Sequence, residues 1–566
     1  MKYSDLVKYY EELESTQSKL EKTKILAKLF EEADDEILEM VVLLSSGRVF
    51  PPYSEKELGI ATKTMVKAIS KATGLSEDEV EKIFKETGDL GLTAAECVKK
   101  RKQVTLLKKV LTVKKVFENL REIASIEGKK SQEKKMSLIA ELFASAEPKE
   151  AIYITRTILE ELRIGVAEGI LRDAIVEAFL KPKTKEEREE FRKAVEYAWN
   201  IRSDFAEVAR IAKKEGLKGL KKVEIRLGQP IQLMLGEKAK SIEEVIKKFG
   251  KVAIEYKYDG MRAEIHKKGD KIWVFTRRLE NVTKQFPDIV ELCKKGLKAE
   301  ECIVEGEALA IDPKTGYPKP FQELSQRIQR KYNIEEMMKK IPIQLNLFDV
   351  TYVDGKKLFD TPFIERRKIL ESIVEEIPEK LQLAKEIITD DLKKAEEFYH
   401  EALNAKQEGV FLKVLDSKYV FGRHVGGLYK IKPIMETLDL VIVAAMWGEG
   451  KRANWLSSYV LAVRDPDTGS FLPCGMMGTG LTEDQFEEMT QKLKPLITSE
   501  KGKTVEVKPK IVVEVAYQEI QKSPNYESGY ALRFPRLVRV RVDKSPEEAD
   551  TIERLIDLYK SQGKEG

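Results

Sequence analysis

The chain has 566 residues, 42% hydrophobic and 35% charged, with Lys+Arg 100 against Asp+Glu 96 and a formal net charge of +4. At roughly 100–200 residues per domain this length predicts several cores rather than one, and the apolar fraction excludes wholesale disorder. The near-balance of charge neither demands nor excludes a nucleic acid, so its placement must decide, while a charged fraction above the usual ~25% suits the ion-pair networks of thermophilic proteins.

The four cysteines, at 97, 293, 302 and 474, form no CxxC pair. A zinc ribbon or a disulfide framework is therefore not expected, and an intracellular, cytoplasmic setting is. The opening MKYSDLVKYYEELE is a charged amphipathic helix without the apolar stretch of a signal peptide. No run approaches the ~20 apolar residues of a membrane span.

Residues 1–225 read as helix after helix. Ser76-Glu77-Asp78-Glu79 is a capping box, Val80, Ile83 and Phe84 follow at helical spacing, and Gly88 stands beyond the end. Basic clusters at 99–102, 114–115 and 213–222 each suit a solvated helix face better than a DNA contact. In LRIGVAEGILR (162–172), Gly165 and Gly169 allow a close backbone approach and Arg163 and Arg172 flank them, which fits phosphate contact or a tight helix crossing. Residues 226–433 change texture to short alternating runs broken by Asp-Gly and Lys-Lys-Gly-Asp, with helices near 284–298, 321–340 and 364–375, an α+β pattern. After Pro433, residues 434–566 carry strands between Gly-rich loops, as in a small β-barrel. A closing helix is expected from Ser545, Pro546 and the box residue Glu548, stopping before Gly563.

The chemistry gathers at Glu255-Tyr256-Lys257-Tyr258-Asp259-Gly260-Met261-Arg262. A strand here puts Glu255 and Lys257 on one face and Tyr256 on the other. A lysine at a strand end before an Asp-Gly turn can serve as a nucleophile if its surroundings favour the neutral amine.

The segments KYDGMR (257–262), FTRRLE (275–280), VEGEALAID (304–312), LNLFDVTYVDG (345–355), EGVFLK (408–413), YKIK (429–432) and ALRFPRLVRVRVDK (531–544) follow one another in an order that resembles the ATP-dependent DNA ligases of archaeal type. The resemblance runs nearly end to end. It implies an all-α N-terminal DNA-binding domain, an α+β adenylation (nucleotidyltransferase) domain and a C-terminal OB-fold. It also implies an enzyme that seals 5′-phosphate/3′-hydroxyl nicks in duplex DNA during replication, repair and recombination, with ATP and Mg2+ (or Mn2+) as cofactors, acting as a monomer. Lys257 would become adenylylated. Glu255 would read the adenine, Phe348 stack on it, Glu307 hold a ribose hydroxyl, and Arg262 and Arg277 contact sugar and phosphates. Arg423, Lys430 and Lys432 would face the triphosphate and Glu408 a divalent cation. Arg536 and Lys544 would orient the leaving pyrophosphate, and Arg163, Gly165 and Gly169 would meet DNA. The same resemblance makes the link at Lys432-Pro433-Ile434 a hinge candidate.

Two departures stand out. At 103–107, where relatives often carry paired aromatics for a sliding clamp, this chain has Gln103-Val104-Thr105-Leu106-Leu107, and Met476 replaces a usual lysine. Arg539 and Arg541 share a face of the last strand by alternation, which argues for a ligand there. An RNA ligase or mRNA guanylyltransferase would share the Lys257 core without explaining the long helical region. An NAD-consuming ligase would bring a four-cysteine zinc module.

Overall fold

The computed structural model describes residues 1–101, 110–126, 131–319, 321–328, 333–422, 427–433, 436–449 and 452–562. The segment 103–107 and Arg423 lie outside them. The chain forms two compact units, Met1–Ile431 and Lys432–Gly566.

The first unit opens with α-helices from Tyr3–Ser15 to Phe205–Lys221. Their apolar stripes bury one continuous core running from Tyr3 to Val223. Ser76 and Glu79 close the expected capping box, and Gly88 (φ +67) returns its N–H to Phe84. No helix among the described residues is long and apolar enough to cross a membrane.

Two sheets follow. One has five strands, in the order Glu237–Lys238, Leu428–Ile431, Gly409–Val414, Val252–Lys257 and Glu386–Thr389. The other has seven, built on Lys271–Thr276, Met261–Lys268, Glu301–Ile311 and Ile343–Val353. All pairings within these two runs are antiparallel except Glu237–Lys238 against Leu428–Ile431. Each sheet has its own apolar core, the smaller under helices Ile242–Phe249 and Leu392–Asn404.

The segment 226–236, where the texture changes, is fastened on both sides. Gln232 N–H donates to Asn200 O at 2.8 Å and the Gln229 amide to Arg202 O at 2.7 Å. On the sheet side, Ile231 N–H donates to Glu264 at 2.9 Å, Gly228 N–H to His266 Nδ1 at 3.1 Å, and Met234 N–H to the Tyr419 hydroxyl at 2.9 Å. Gly228 (φ +91) is required there, since a Cβ would stand 2.8 Å from the Trp273 ring.

The second unit is strand-rich, as the OB expectation required. Its long strand Leu438–Trp447 pairs with Leu456–Arg464 on one side and with both Thr504–Val507 and Val512–Ala516 on the other. Register shifts after Ile442 and Met446 bend it. The closing helix needs a correction. Ser545 and Glu548 do form a capping box, but on the short 3-10 turn Pro546–Glu548, and the α-helix Ile552–Ser561 is capped separately by Thr551. The helix cannot run through because Asp550 is held extended, its N–H on Asp439 O and its carbonyl accepting from Arg464 N–H.

Candidate active site

Lys257 ends the strand Val252–Lys257, and its amine lies against the Glu408 carboxylate. Glu408 N–H also donates to Lys257 O at 2.9 Å. Both side chains are largely buried, 15% and 20% exposed, and Lys257 Nζ stands 5.4 Å from the centre of the Phe411 ring. The Asp259-Gly260 turn carries the chain across to the larger sheet. A Cβ at Gly260 would lie 2.3 Å from Ala308 O, so only glycine lets the turn pass, and Asp259 N–H is received by Gln407 Oε1 at 3.3 Å.

Glu255, one turn of the pleat away, is 2% exposed and accepts from Lys413 Nζ at 2.6 Å. Lys413 also donates to Phe348 O at 3.3 Å and sits 4.9 Å from the Phe348 ring centre. The Arg262 guanidinium stands 5.4 Å from the same ring. Phe348 is only partly buried, so it is not simple core.

Arg262 donates to Met234 O at 2.7 Å and to the fully buried Glu305 carboxylate, which also accepts the Tyr419 hydroxyl. Burial alone would weaken the charge of Arg262. Glu305, with Tyr419 and Glu307 nearby, more than offsets this and raises its pKa. Glu307 is the cross-strand partner of Arg262. Burial pushes its carboxyl up to about 7, with Glu408 and Asp259 adding to the rise and Lys257 and Arg262 opposing it. Beneath this layer Arg366 grips Asp349 with two bonds, of 2.8 and 3.0 Å, and keeps it ionised below the usual range in spite of its burial.

Lys257, Glu255, Arg262, Glu307, Phe348 and Glu408 are thus joined by contact or by direct electrostatic influence. Sequence reasoning did not single out Phe411, Lys413, Glu305 or Tyr419. The first two sit inside EGVFLK at alternate positions, a signal that was available. The other expected residues lie on nearby strands and turns. Arg277 is in an exposed turn after Lys271–Thr276. Lys430 lies half-buried opposite Phe411 in the sheet, and Lys432 follows the end of that strand.

In the second unit Arg536 is exposed, and Lys544 is paired with Asp439 at 2.7 Å. Arg539 and Arg541, expected to share a face, both have carboxylate partners, and the Arg539 side chain stays 63% exposed. Arg539 pairs with Glu514 at 2.6 Å, while Arg541 holds Asp439 and Asp543, both at 2.8 Å. The strand Arg536–Val540 ends before Arg541, and a register shift lies at Val538, ahead of both arginines. Met476 is 47% exposed.

In the helical region Arg163 and Gly165 adopt left-handed φ of 60° and 66°. Lys22 Nζ holds Ile164 O at 2.7 Å and Gly165 O at 3.2 Å, and Arg163 pairs with Asp89 at 2.9 Å and with Glu161. Gly165 and Gly169 are both exposed, and a Cβ at Gly169 would meet nothing within 4 Å.

No group of three or more His, Cys, Asp or Glu is gathered for a metal among the described residues. Glu408, a hard oxygen donor beside Lys257, fits a cation that takes its remaining ligands from phosphate and water, as small divalent ions do.

A largely buried lysine at a strand end, beside carboxylates, an arginine and an aromatic ring, between two mainly antiparallel sheets, fits the class of covalent nucleotidyltransferases. The family model described as ATP dependent DNA ligase domain matches residues 233–432; DNA ligase N terminus matches 2–176, and ATP dependent DNA ligase C terminal region matches 452–544. A DNA ligase of Nanoarchaeum equitans is 49% identical over 99% of both chains. One from Thermococcus onnurineus is 50% identical over 99% of this chain and 98% of its own, and one from Archaeoglobus fulgidus is 46% identical over 99% of both. The solved structure called Pmar-Lig_PreS3 shares the fold, with TM-score 0.57 and 18% identity over 95% of this chain and 99% of its own. The chain belongs to the ATP-dependent DNA ligases, enzymes that seal nicks through an adenylate intermediate and use ATP with a divalent metal.

Proposed function

We propose that Lys257 is the adenylylated nucleophile and that the chain works as a monomer on nicked duplex DNA with Mg2+. The observation that carries this reading is the contact between Lys257 and Glu408, in a pocket that also holds Arg262, Glu307 and Phe348. Lys257 Nζ attacks the α-phosphorus of ATP. The N–P bond forms as the bond to pyrophosphate breaks, and the proton that Nζ must lose has the Glu408 carboxylate beside it. The nick's 5′-phosphate then takes AMP from Lys257, and the 3′-hydroxyl displaces AMP to close the backbone. A divalent cation at Glu408 would neutralise phosphate charge as it shifts toward pyrophosphate.

In this reading Glu255 takes the base edge, and Phe348 and Phe411 supply its apolar walls. Glu307 takes a ribose hydroxyl, and Arg262, Arg277, Arg423, Lys430 and Lys432 serve the sugar and phosphates, as guanidinium forks and ammonium charges suit. Arg536 and Lys544 orient the pyrophosphate. Arg163, Gly165 and Gly169 belong to a backbone-reading surface for DNA. The domains run 1–225, 226–433 and 434–566.

Intact mass after incubation with ATP and Mg2+ tests it. Wild type gains one AMP, Lys257→Ala gains none, and nicked DNA discharges the adduct. An adduct on Lys257→Ala would overturn the nucleophile, and discharge by nicked RNA alone would favour an RNA ligase.

A further inference from the structure

Glu255 and Glu386 are register partners on adjacent antiparallel strands. One oxygen of Glu255 is taken by Lys413. The other, Oε1, is buried without a donor, and the closest cation on that side, Arg367 NH1, stands 3.6 Å away and is itself buried without a partner. Glu386 Oε2 is a third buried atom of this kind. Three such atoms in one cluster are uncommon, because buried polar groups are almost always satisfied. Two facing carboxylates cannot satisfy each other unless one of them carries a proton. Burial, followed by the charge of Glu255, pushes Glu386 up to about 7, with Arg367 and Lys413 opposing the rise.

The charged groups around the pair come from three neighbouring elements. Glu386 faces Glu255 from strand Val252–Lys257, Arg367 from helix Phe363–Ile373 and Lys413 from strand Gly409–Val414. Arg367 is further held by Glu371 at 2.9 Å. Tyr258 borders the group and accepts Lys385 N–H at 3.0 Å, while Lys385 itself is paired with Glu401. Glu371 is itself 47% exposed.

We propose that Glu255 and Glu386 share one proton and read the adenine edge of ATP as a unit, Glu386 acting as the positioning residue for Glu255. This rests on the base-reading role of Glu255 given above. A protonated Glu386 fixes Glu255 Oε1 by donating to it, and Oε1 keeps a lone pair for the exocyclic amine of adenine. A purine with an oxygen at that position meets an acceptor and is rejected, because the buried carboxylate is then left without a donor.

Self-adenylylation of the full chain, with KM for ATP and kcat followed from pH 5.5 to 8.5, provides the test. In wild type KM rises several-fold above about pH 7, where the pair loses its proton. Glu386→Gln keeps a donor at every pH and flattens that rise. Glu386→Ala raises KM about tenfold at all pH values, as loss of one such bond implies. The effect falls on KM rather than kcat and narrows the preference for ATP over GTP. Wild-type KM, pH profile and nucleotide preference in Glu386→Gln would overturn the shared proton, even if the alanine variant failed to fold. Glu255→Gln separates the two readings. If it leaves KM unchanged while Lys257 still takes AMP, the base-reading role fails. If it raises KM and the Glu386 variants do not, only the pair fails.

Discussion

Glu408 holds Lys257 twice: its carboxylate receives the Lys257 ammonium, and its backbone N–H donates to the Lys257 carbonyl at 2.9 Å. The second bond is part of the ladder between Val252–Lys257 and Gly409–Val414, in which Gly409 faces Lys257. Residues far apart in sequence are thereby fixed at one point by strand register, and the side-chain contact needs no loop to adjust.

Replacing Glu408 by Gln keeps the shape and the main-chain bond but removes the charge. A charge-assisted bond of about 1.5–3 kcal/mol corresponds to a ten- to hundredfold fall in the rate of AMP transfer to Lys257. Single-turnover adenylylation with labelled ATP measures it. A wild-type rate in Glu408→Gln would remove Glu408 from the first chemical step.

Glu307 gives a pH signature. Its carboxyl is raised to about 7 by burial, with Glu408 and Asp259 adding, from an ordinary value near 4.5. Above pH 4.5 the unfolded chain sheds this proton while the folded chain retains it, so stability from this group is full at low pH and declines as pH rises toward 7. The loss amounts to about 3 kcal/mol by pH 8. Glu307→Gln should therefore match wild type in denaturant unfolding at pH 4.5 and exceed it at pH 8. Equal stability at both values would show that Glu307 ionises normally.

Tyr419 lies at the base of the Arg262 site and makes two bonds that phenylalanine cannot. Its hydroxyl donates to Glu305 and accepts Met234 N–H, and Glu305 in turn holds Arg262. Tyr419→Phe leaves buried polar atoms unmatched, at about 1–3 kcal/mol. Because Glu305 then loses one of its two anchors, KM for ATP should rise several-fold. Loss of stability with an unchanged KM would confine Tyr419 to a structural role.

Much of this was readable in advance because the ligase segments are contiguous and sit on strands or on the turns that end them. Glu255, Lys257, Arg262, Glu307 and Phe348 come together in one cluster with Glu408, as register requires. Tyr419, Arg367 and Glu386 were not visible, since each looks like an ordinary tyrosine, arginine or glutamate until the fold sets it against a buried charge. The box at Ser545 obeyed its local rule, yet the helix began at Thr551 because Asp550 was drawn into pairing with Asp439 and Arg464. Alternation likewise placed Arg539 and Arg541 on one face, but could not show their ion pairs with Glu514 and Asp439.

Gly165 and Gly169 differ in a way that separates folding from DNA contact. Gly165 has φ +66, and a Cβ there would lie 2.3 Å from Lys22 Nζ, whereas Gly169 has open space in the first turn of helix Glu168–Ile175. Gly165→Ala should lose about 1–2 kcal/mol from the left-handed backbone, plus the displacement of Lys22. Gly169→Ala should be neutral or gain up to about 1 kcal/mol, as alanine favours a helix. If this loop lies against the phosphate backbone, Gly169→Glu folds normally and still weakens nicked-duplex binding at least tenfold, because its side chain and its charge both meet the phosphates. Fluorescence anisotropy at two salt concentrations reads the effect, and the deficit should shrink as salt rises. Wild-type affinity in Gly169→Glu would place the DNA surface elsewhere on the helical region.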